Sequence, residues 1–191
     1  MAINEWCKNE MSDVLTPSKL GFECEDIILD SINCDESYKE KQISAKYKGI
    51  TTIDRLIRFG NIWFFIQCKF KTGKEKLNEV KAFRTDFNDL SSELYKLNNN
   101  YKFYPVYLSR VINTQNGLDQ IQKLNFGKCI YLYEKKIDEN NYTIKDNIDD
   151  IIKLLIKLCY YIYEIIGYYP TVNDPLSNLN DKLMLDISLI K

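Results

Sequence analysis

Histidine is missing from all 191 residues, and its absence removes a large block of chemistry. Ser/His/Asp and Cys/His hydrolases and nucleases that use a histidine base are excluded. Any hydrolysis must rest on carboxylates, lysine and a metal. Cysteine pairs are missing as well. The six cysteines, Cys7, Cys24, Cys34, Cys68, Cys129 and Cys159, show no C-x-x-C spacing, and most lie in apolar runs. They read as buried thiols of a reducing compartment, not as a disulfide framework, a zinc site or an iron-sulfur site. The opening segment MAINEWCKNE lacks the basic and apolar pattern of a targeting signal, so the expected location is the cytoplasm or another intracellular compartment. An uninterrupted membrane span is also lacking. The longest apolar stretch, Ile151 to Gly167, contains Lys153, Lys157 and Glu164 and is expected to be a core or interface helix, with no membrane partner. Neither an internal repeat nor a linker is visible.

What is present is an ordinary globular composition, 45% hydrophobic and 28% charged, over a length that suits one domain spanning 1–191. The net charge of -1 conceals an asymmetry. Between Lys39 and Lys76 ten basic residues stand against three acidic ones, a balance of +7, so the rest of the chain carries -8. A basic segment on an acidic body is consistent with a polyanion surface, and equally with a solvated lysine-rich hairpin.

Periodicity predicts the order of elements. Apolar residues at 20, 24, 27, 28 and 32 predict a first helix over Leu20 to Asn33. Strands are predicted over Lys39 to Tyr47, Thr51 to Phe59 and Ile62 to Phe70, followed by a loop, KTGKEK. Positions 77, 80, 83, 87, 90 and 94 mark a helix from Leu77 to Leu97. A strand from Phe103 to Ser109, a short helix from Leu118 to Leu124, a strand from Lys128 to Glu134 and a long helix from Ile148 to Ile166 complete the series. The resulting order, α-β-β-β-α-β-α-β-α, predicts an α/β fold with a mixed sheet between helices. The long helix carries Tyr160, Tyr161 and Tyr163, with Tyr168 and Tyr169 just beyond it. It has more apolar surface than one sheet face needs, which leaves plain core packing and a homodimer interface both open.

The segment WFFIQCKF, residues 63 to 70, reads as a strand buried on both faces, yet contains Gln67 and Lys69. Gly60-Asn61 is a two-residue hairpin turn with glycine where positive φ is needed. Phe59 then faces Ile62, and Asp54 falls opposite Gln67. Side chains two positions apart share a face, so Asp54, Gln67 and Lys69 are expected together, beside Leu56, Trp63 and Phe65. Ile53, Ile57, Phe64, Ile66 and Cys68 are assigned to the other face. A register-setting ion pair of Asp54 and Lys69 bridged by Gln67 explains the cluster. So does a site in which the carboxylate and the amide oxygen hold a hard divalent cation. Two short matches elsewhere fail this geometry: Glu79-Val80-Lys81 lies in a helical register, and Glu134-Lys135-Lys136 has no aspartate on a partner strand.

An aspartate and a Q-x-K strand across a hairpin, preceded by a helix with a glutamate, resemble the PD-(D/E)XK nuclease superfamily and most closely its Mrr-like restriction endonucleases. Gly21-Phe22-Glu23 resembles the family's helix signature, Thr52-Ile53-Asp54 its aspartate strand and Ile66-Gln67-Cys68-Lys69 its Q-x-K strand. Arg55 stands where that family often has glycine, and no proline precedes Asp54. The resemblance covers roughly 20–110. It implies a restriction-endonuclease-like αβββαβ core over about 18–135, with a C-terminal helical extension over about 146–191. It also implies a metal-dependent endodeoxyribonuclease that hydrolyses DNA phosphodiester bonds, with Mg²⁺ as cofactor and Mn²⁺ as substitute. Asp54, Gln67, the Cys68 carbonyl and Glu23 would hold the metal, and Lys69 would face the attacked phosphate. Arg58, Lys71, Lys74 and Lys76 are the candidate DNA contacts. A junction resolvase or DNA-repair nuclease would share this core, as would a catalytically inactive nucleic-acid-binding or assembly protein.

Overall fold

The computed structural model describes Ile32 and residues 34–69, 77–111, 127–133 and 144–167. Five strands form one mixed sheet in the order β1-β2-β3-β4-β5. They are β1 (Glu36–Lys39), β2 (Arg55–Phe59), β3 (Ile62–Lys69), β4 (Lys102–Val111) and β5 (Lys128–Tyr133). Three helices accompany them: α1 (Glu40–Lys46) between β1 and β2, α2 (Leu77–Leu97) between β3 and β4, and α3 (Ile144–Ile166) after β5. β1, β2 and β3 pair antiparallel, whereas β3, β4 and β5 run parallel. The α/β class with a mixed sheet and flanking helices is therefore as expected.

Each face of the sheet has its own core. On one face α3 sets Leu154, Leu155, Leu158 and Ile162 against Ile57, Phe64, Ile66, Val106, Leu108 and Ile130. On the other, α2 sets Val80, Phe83, Phe87, Leu90 and Leu94 against Leu56, Trp63, Phe65 and Tyr107. The α2 residues recur at helical spacing, so one stripe of the helix is sealed against the sheet. The Phe65 and Phe87 rings meet edge to face at 4.9 Å, a favoured aromatic geometry. Tyr161 and Tyr163 pack against the α3-side core and Tyr160 is exposed. Tyr168 and Tyr169 lie outside the described residues, as do the predicted helices over 20–33 and 118–124, apart from Ile32. Among the described residues no helix is long and apolar enough to cross a membrane.

The hairpin forms in the expected register: β2 and β3 pair from Phe59↔Ile62 to Arg55↔Ile66. Gly60 turns the chain with φ +56°, a conformation that side chains with a Cβ adopt rarely. The turn is tied to the rest of the sheet by Gly60 N–H donating to Asp35 Oδ2 at 2.6 Å and Lys102 N–H donating to Asn61 O at 2.8 Å.

Two expectations are corrected. The predicted strand over Lys39 to Tyr47 is mostly the helix α1, and the strand is the preceding Glu36–Lys39. Only Ile43 of α1 is buried, so neither a two-residue nor a 3.6-residue period is written in this segment. Local chemistry decides instead. The Gln42 side chain accepts the Lys39 N–H at 2.8 Å at the helix start, as in a capping box. Glu40 occupies the first turn and Lys46 the last, which suits the helix dipole.

The second correction concerns the start of β2. Asp54 N–H donates to Ile66 O at 2.9 Å, although Ile66 is already the ladder partner of Arg55. Two residues of one strand thus address one of the other, as in a β-bulge. The face alternation slips there, and Ile53 joins the α2-side core with Leu56, Trp63 and Phe65 rather than the opposite face. Asp54 is not directly opposite Gln67 in a regular ladder.

Candidate active site

The bulge turns the Asp54 side chain toward β3. Its Oδ2 accepts the Cys68 backbone N–H at 2.6 Å and the Gln67 Nε2–H at 2.6 Å. In an unbroken ladder a backbone carbonyl would take the Cys68 N–H; here a carboxylate oxygen does. Gln67 Nε2 also leans on the Cys68 carbonyl at 3.4 Å, so the amide is held from two sides. Gln67 is only 2% exposed, whereas Asp54 and Lys69 are partly exposed. The site opens at one end of the sheet, with its floor buried.

Burial makes the Asp54 carboxyl reluctant to ionise. It is pushed up to about 6, chiefly by desolvation, against the Cys68 N–H and the Lys69 ammonium, which favour the charged form. Glu40 opposes ionisation further. Lys69 acts through space: no Asp54–Lys69 ion pair forms among the described residues. The register-setting ion pair considered above is therefore not the arrangement adopted. Lys69 pairs across the sheet with Ser109 of β4, and Gln67 with Tyr107, both fully buried, so the two polar residues of β3 rest on a packed neighbour strand.

The loop that delivers Asp54 is anchored from a distance. Asp86, buried on α2, accepts the Thr51 N–H, the Thr52 N–H and the Thr52 hydroxyl on the same Oδ2, each at 2.8 Å. Ile50 and Ile53 are buried on either side of the two threonines. Sequence reasoning did not find Asp86, because its partners lie 34 and 35 residues away and no local pattern marks them. Glu40 was also missed. Its position depends on α1, which periodicity did not reveal.

Of the residues proposed from sequence, Asp54, Gln67 and the Cys68 backbone come together, with Lys69 acting on the same carboxylate. The Cys68 thiol side is buried in the α3-side core. Glu23, Lys71, Lys74 and Lys76 lie outside the described residues. Arg58 is placed elsewhere, near the hairpin turn. Its guanidinium binds Glu36 Oε1 at 2.7 and 2.9 Å, donates to Gly60 O at 2.7 Å and stands 3.6 Å from Asp35. Arg58 pairs with Trp63, which at ~3.3 Å per residue is about 20 Å along β3 from Lys69. Glu79 and Lys81 are in α2 with Val80 turned into the core, as the helical register requires.

The oxygen donors at the site suit a hard divalent cation. With Oδ2 of Asp54 occupied by two N–H groups, its Oδ1 takes no hydrogen bond. Gln67 donates through Nε2, and its carbonyl Oε1 accepts none. Among the described residues no three His, Cys, Asp or Glu side chains stand together as a ready-made metal cage. Such a lean donor set agrees with Mg²⁺, which usually keeps several waters. In comparisons with known proteins, no family model, curated protein or solved structure matches the chain.

Proposed function

We propose that the protein is a metal-dependent endodeoxyribonuclease with a restriction-endonuclease-like core of the PD-(D/E)XK kind. The observation that carries this reading is the partly buried Asp54, fixed by the Cys68 N–H and the Gln67 amide, with the Lys69 cation acting on it from the same strand. A cluster of this kind at the sheet's end is costly to maintain for structure alone, and perturbed carboxyls concentrate at functional sites. The strand order supports the reading, since three antiparallel strands lead through a helix to a parallel fourth.

Asp54 Oδ1, Gln67 Oε1 and the Cys68 carbonyl would hold Mg²⁺. When bound, the ion supplies Lewis-acid polarisation of a phosphate oxygen and acidifies a water molecule. The chain's own groups do the rest. The two N–H donors on Oδ2 fix the rotation of the Asp54 carboxylate, so that Oδ1 is presented in one direction. Gln67 brings an oxygen without a second negative charge, which favours one cation over two. Lys69, two residues along β3 from Gln67 and on the same side of it, sets a positive charge against the scissile phosphate and its attacking water.

Incubation of the full chain with supercoiled plasmid and with branched DNA, in Mg²⁺, Mn²⁺ or EDTA, tests the reading. Cleavage is expected with the metals and is expected to vanish in EDTA and in Lys69→Ala. Wild-type protein that cuts neither substrate, or Lys69→Ala that cuts as well as wild type, would overturn it. Preference for the branched substrate would identify the resolvase form of the same chemistry.

A further inference from the structure

Glu40 follows directly on the last residue of β1. The β1–β2 register runs from Glu36↔Arg58 to Lys39↔Arg55, and its next step sets Glu40 against Asp54. On the other side of Asp54 stands Gln67, bonded to it. Glu40, Asp54 and Gln67 therefore form a row across three neighbouring segments at one end of the sheet. Adjacent strands are about 4.8 Å apart, within reach for two acidic side chains. The influence of Glu40 on the Asp54 carboxyl agrees with that closeness.

Two carboxylates set against each other across strands repel. The first turn of α1 explains why an acidic residue suits position 40, but not why it is placed beside a second carboxylate. The same row holds a polar group without a partner: Gln67 is 2% exposed, yet its Oε1 accepts no hydrogen bond and is not sealed from solvent. A buried amide oxygen left open toward two carboxylates is what a hard cation site requires.

We propose that Glu40 is the second carboxylate of a divalent-cation site shared with Asp54 Oδ1 and Gln67 Oε1. It restores the negative charge that an amide at position 67 does not provide. The proposal rests on the reading that Asp54 and Gln67 hold a cation, and it assigns to that cation a residue from the segment between β1 and β2. The ligand class is a small hard dication, Mg²⁺ or Mn²⁺. Glu40 is exposed, so it closes the site from the solvent side while Gln67 forms the floor.

Binding of Mn²⁺ alone, followed by the loss of the free-ion EPR signal, tests this without reference to catalysis. The proteins compared are wild type, Glu40→Gln, Asp54→Asn and, as a control for loss of one surface charge, Glu93→Gln, all full length and matched for folding by circular dichroism in EDTA. Affinity is expected to fall at least tenfold in Glu40→Gln, to be lost in Asp54→Asn and to stay within twofold of wild type in Glu93→Gln. Equal binding by Glu40→Gln and wild type would overturn the role of Glu40 while leaving the Asp54 site standing. An equal loss in Glu93→Gln would also overturn it, by showing a diffuse charge effect. A wild-type protein that takes up no Mn²⁺ at millimolar concentration would remove both the role of Glu40 and the cation site itself.

Discussion

A single carboxylate oxygen of Asp86 takes both the backbone N–H and the hydroxyl of Thr52, each at 2.8 Å. With the Thr51 N–H added, Asp86 holds two consecutive residues of the loop leading to Asp54 from the far side of the α2-side core. Hydrogen bonds to a charged group contribute about 1.5–3 kcal/mol each and are not additive. Asp86→Ala is expected to cost at least about 3 kcal/mol in urea unfolding, and Asp86→Asn, which keeps an acceptor oxygen, clearly less. At a temperature where Asp86→Ala remains folded, cleavage should still be lost, because Asp54 is no longer delivered to β3. Wild-type cleavage by the alanine variant would show that the loop needs no strut.

Asp54 sets a pH dependence of stability. Its carboxyl is raised from 3.8 to about 6, so between these values the folded chain keeps a proton that the unfolded chain releases. Stability therefore falls as pH rises through roughly 4 to 6 and stays lowered above that window. Asp54→Asn removes the effect and keeps an acceptor for the Cys68 N–H. The variant is expected to match wild type near pH 3.5 and to exceed it at pH 7.5, by up to about 3 kcal/mol if the whole shift is expressed. Thermal unfolding across pH measures it, and a wild type more stable than the variant at pH 7.5 without metal contradicts it.

The same shift governs cation uptake. A cation binds the ionised carboxylate, so it competes with the proton. Apparent Mn²⁺ affinity is expected to fall about tenfold per pH unit below about 6 and to level off above it. Calorimetric titration at pH 5, 6, 7 and 8 reads the curve directly. A flat profile would place the cation away from Asp54.

Lys69 and Arg58 should separate cleanly. Lys69 is partly exposed at the end of β3, and Lys69→Ala is expected to change stability by no more than about 1 kcal/mol while reducing cleavage by about a hundredfold or more. Arg58 is bound to Glu36, Asp35 and the Gly60 carbonyl. Arg58→Ala is expected to lower stability by roughly 1 kcal/mol and to leave the salt dependence of DNA binding unchanged. A reduced salt slope in Arg58→Ala would instead return Arg58 to the nucleic-acid surface.

The hairpin was legible in the sequence because its determinants are local: Gly60-Asn61 fixes the turn, and alternation along Trp63 to Lys69 fixes the faces. From these the meeting of Asp54 with Gln67 follows, although not its manner. The bulge that aims Asp54 carries no residue signature, and a one-residue slip is enough to move Ile53 to the other core. α1 was hidden for a different reason, since seven residues with one buried anchor, Ile43, express no period. Asp86 could not have been found from spacing at all, because what it holds is remote in sequence and near only once α2 has docked. Helix α2 itself was plain, its buried positions matching the 3.6-residue stripe.

Asp54 stands in for a missing main-chain carbonyl at Cys68, and this ties the history of the site to its architecture. Descendants that abandoned the chemistry could shed Lys69 freely, but at position 54 they would still need an acceptor for that N–H. Drift there should run to asparagine, serine or threonine before alanine or leucine. An asparagine at this position in a related chain would mark lost activity with a retained fold, a distinction that an apolar replacement could not make.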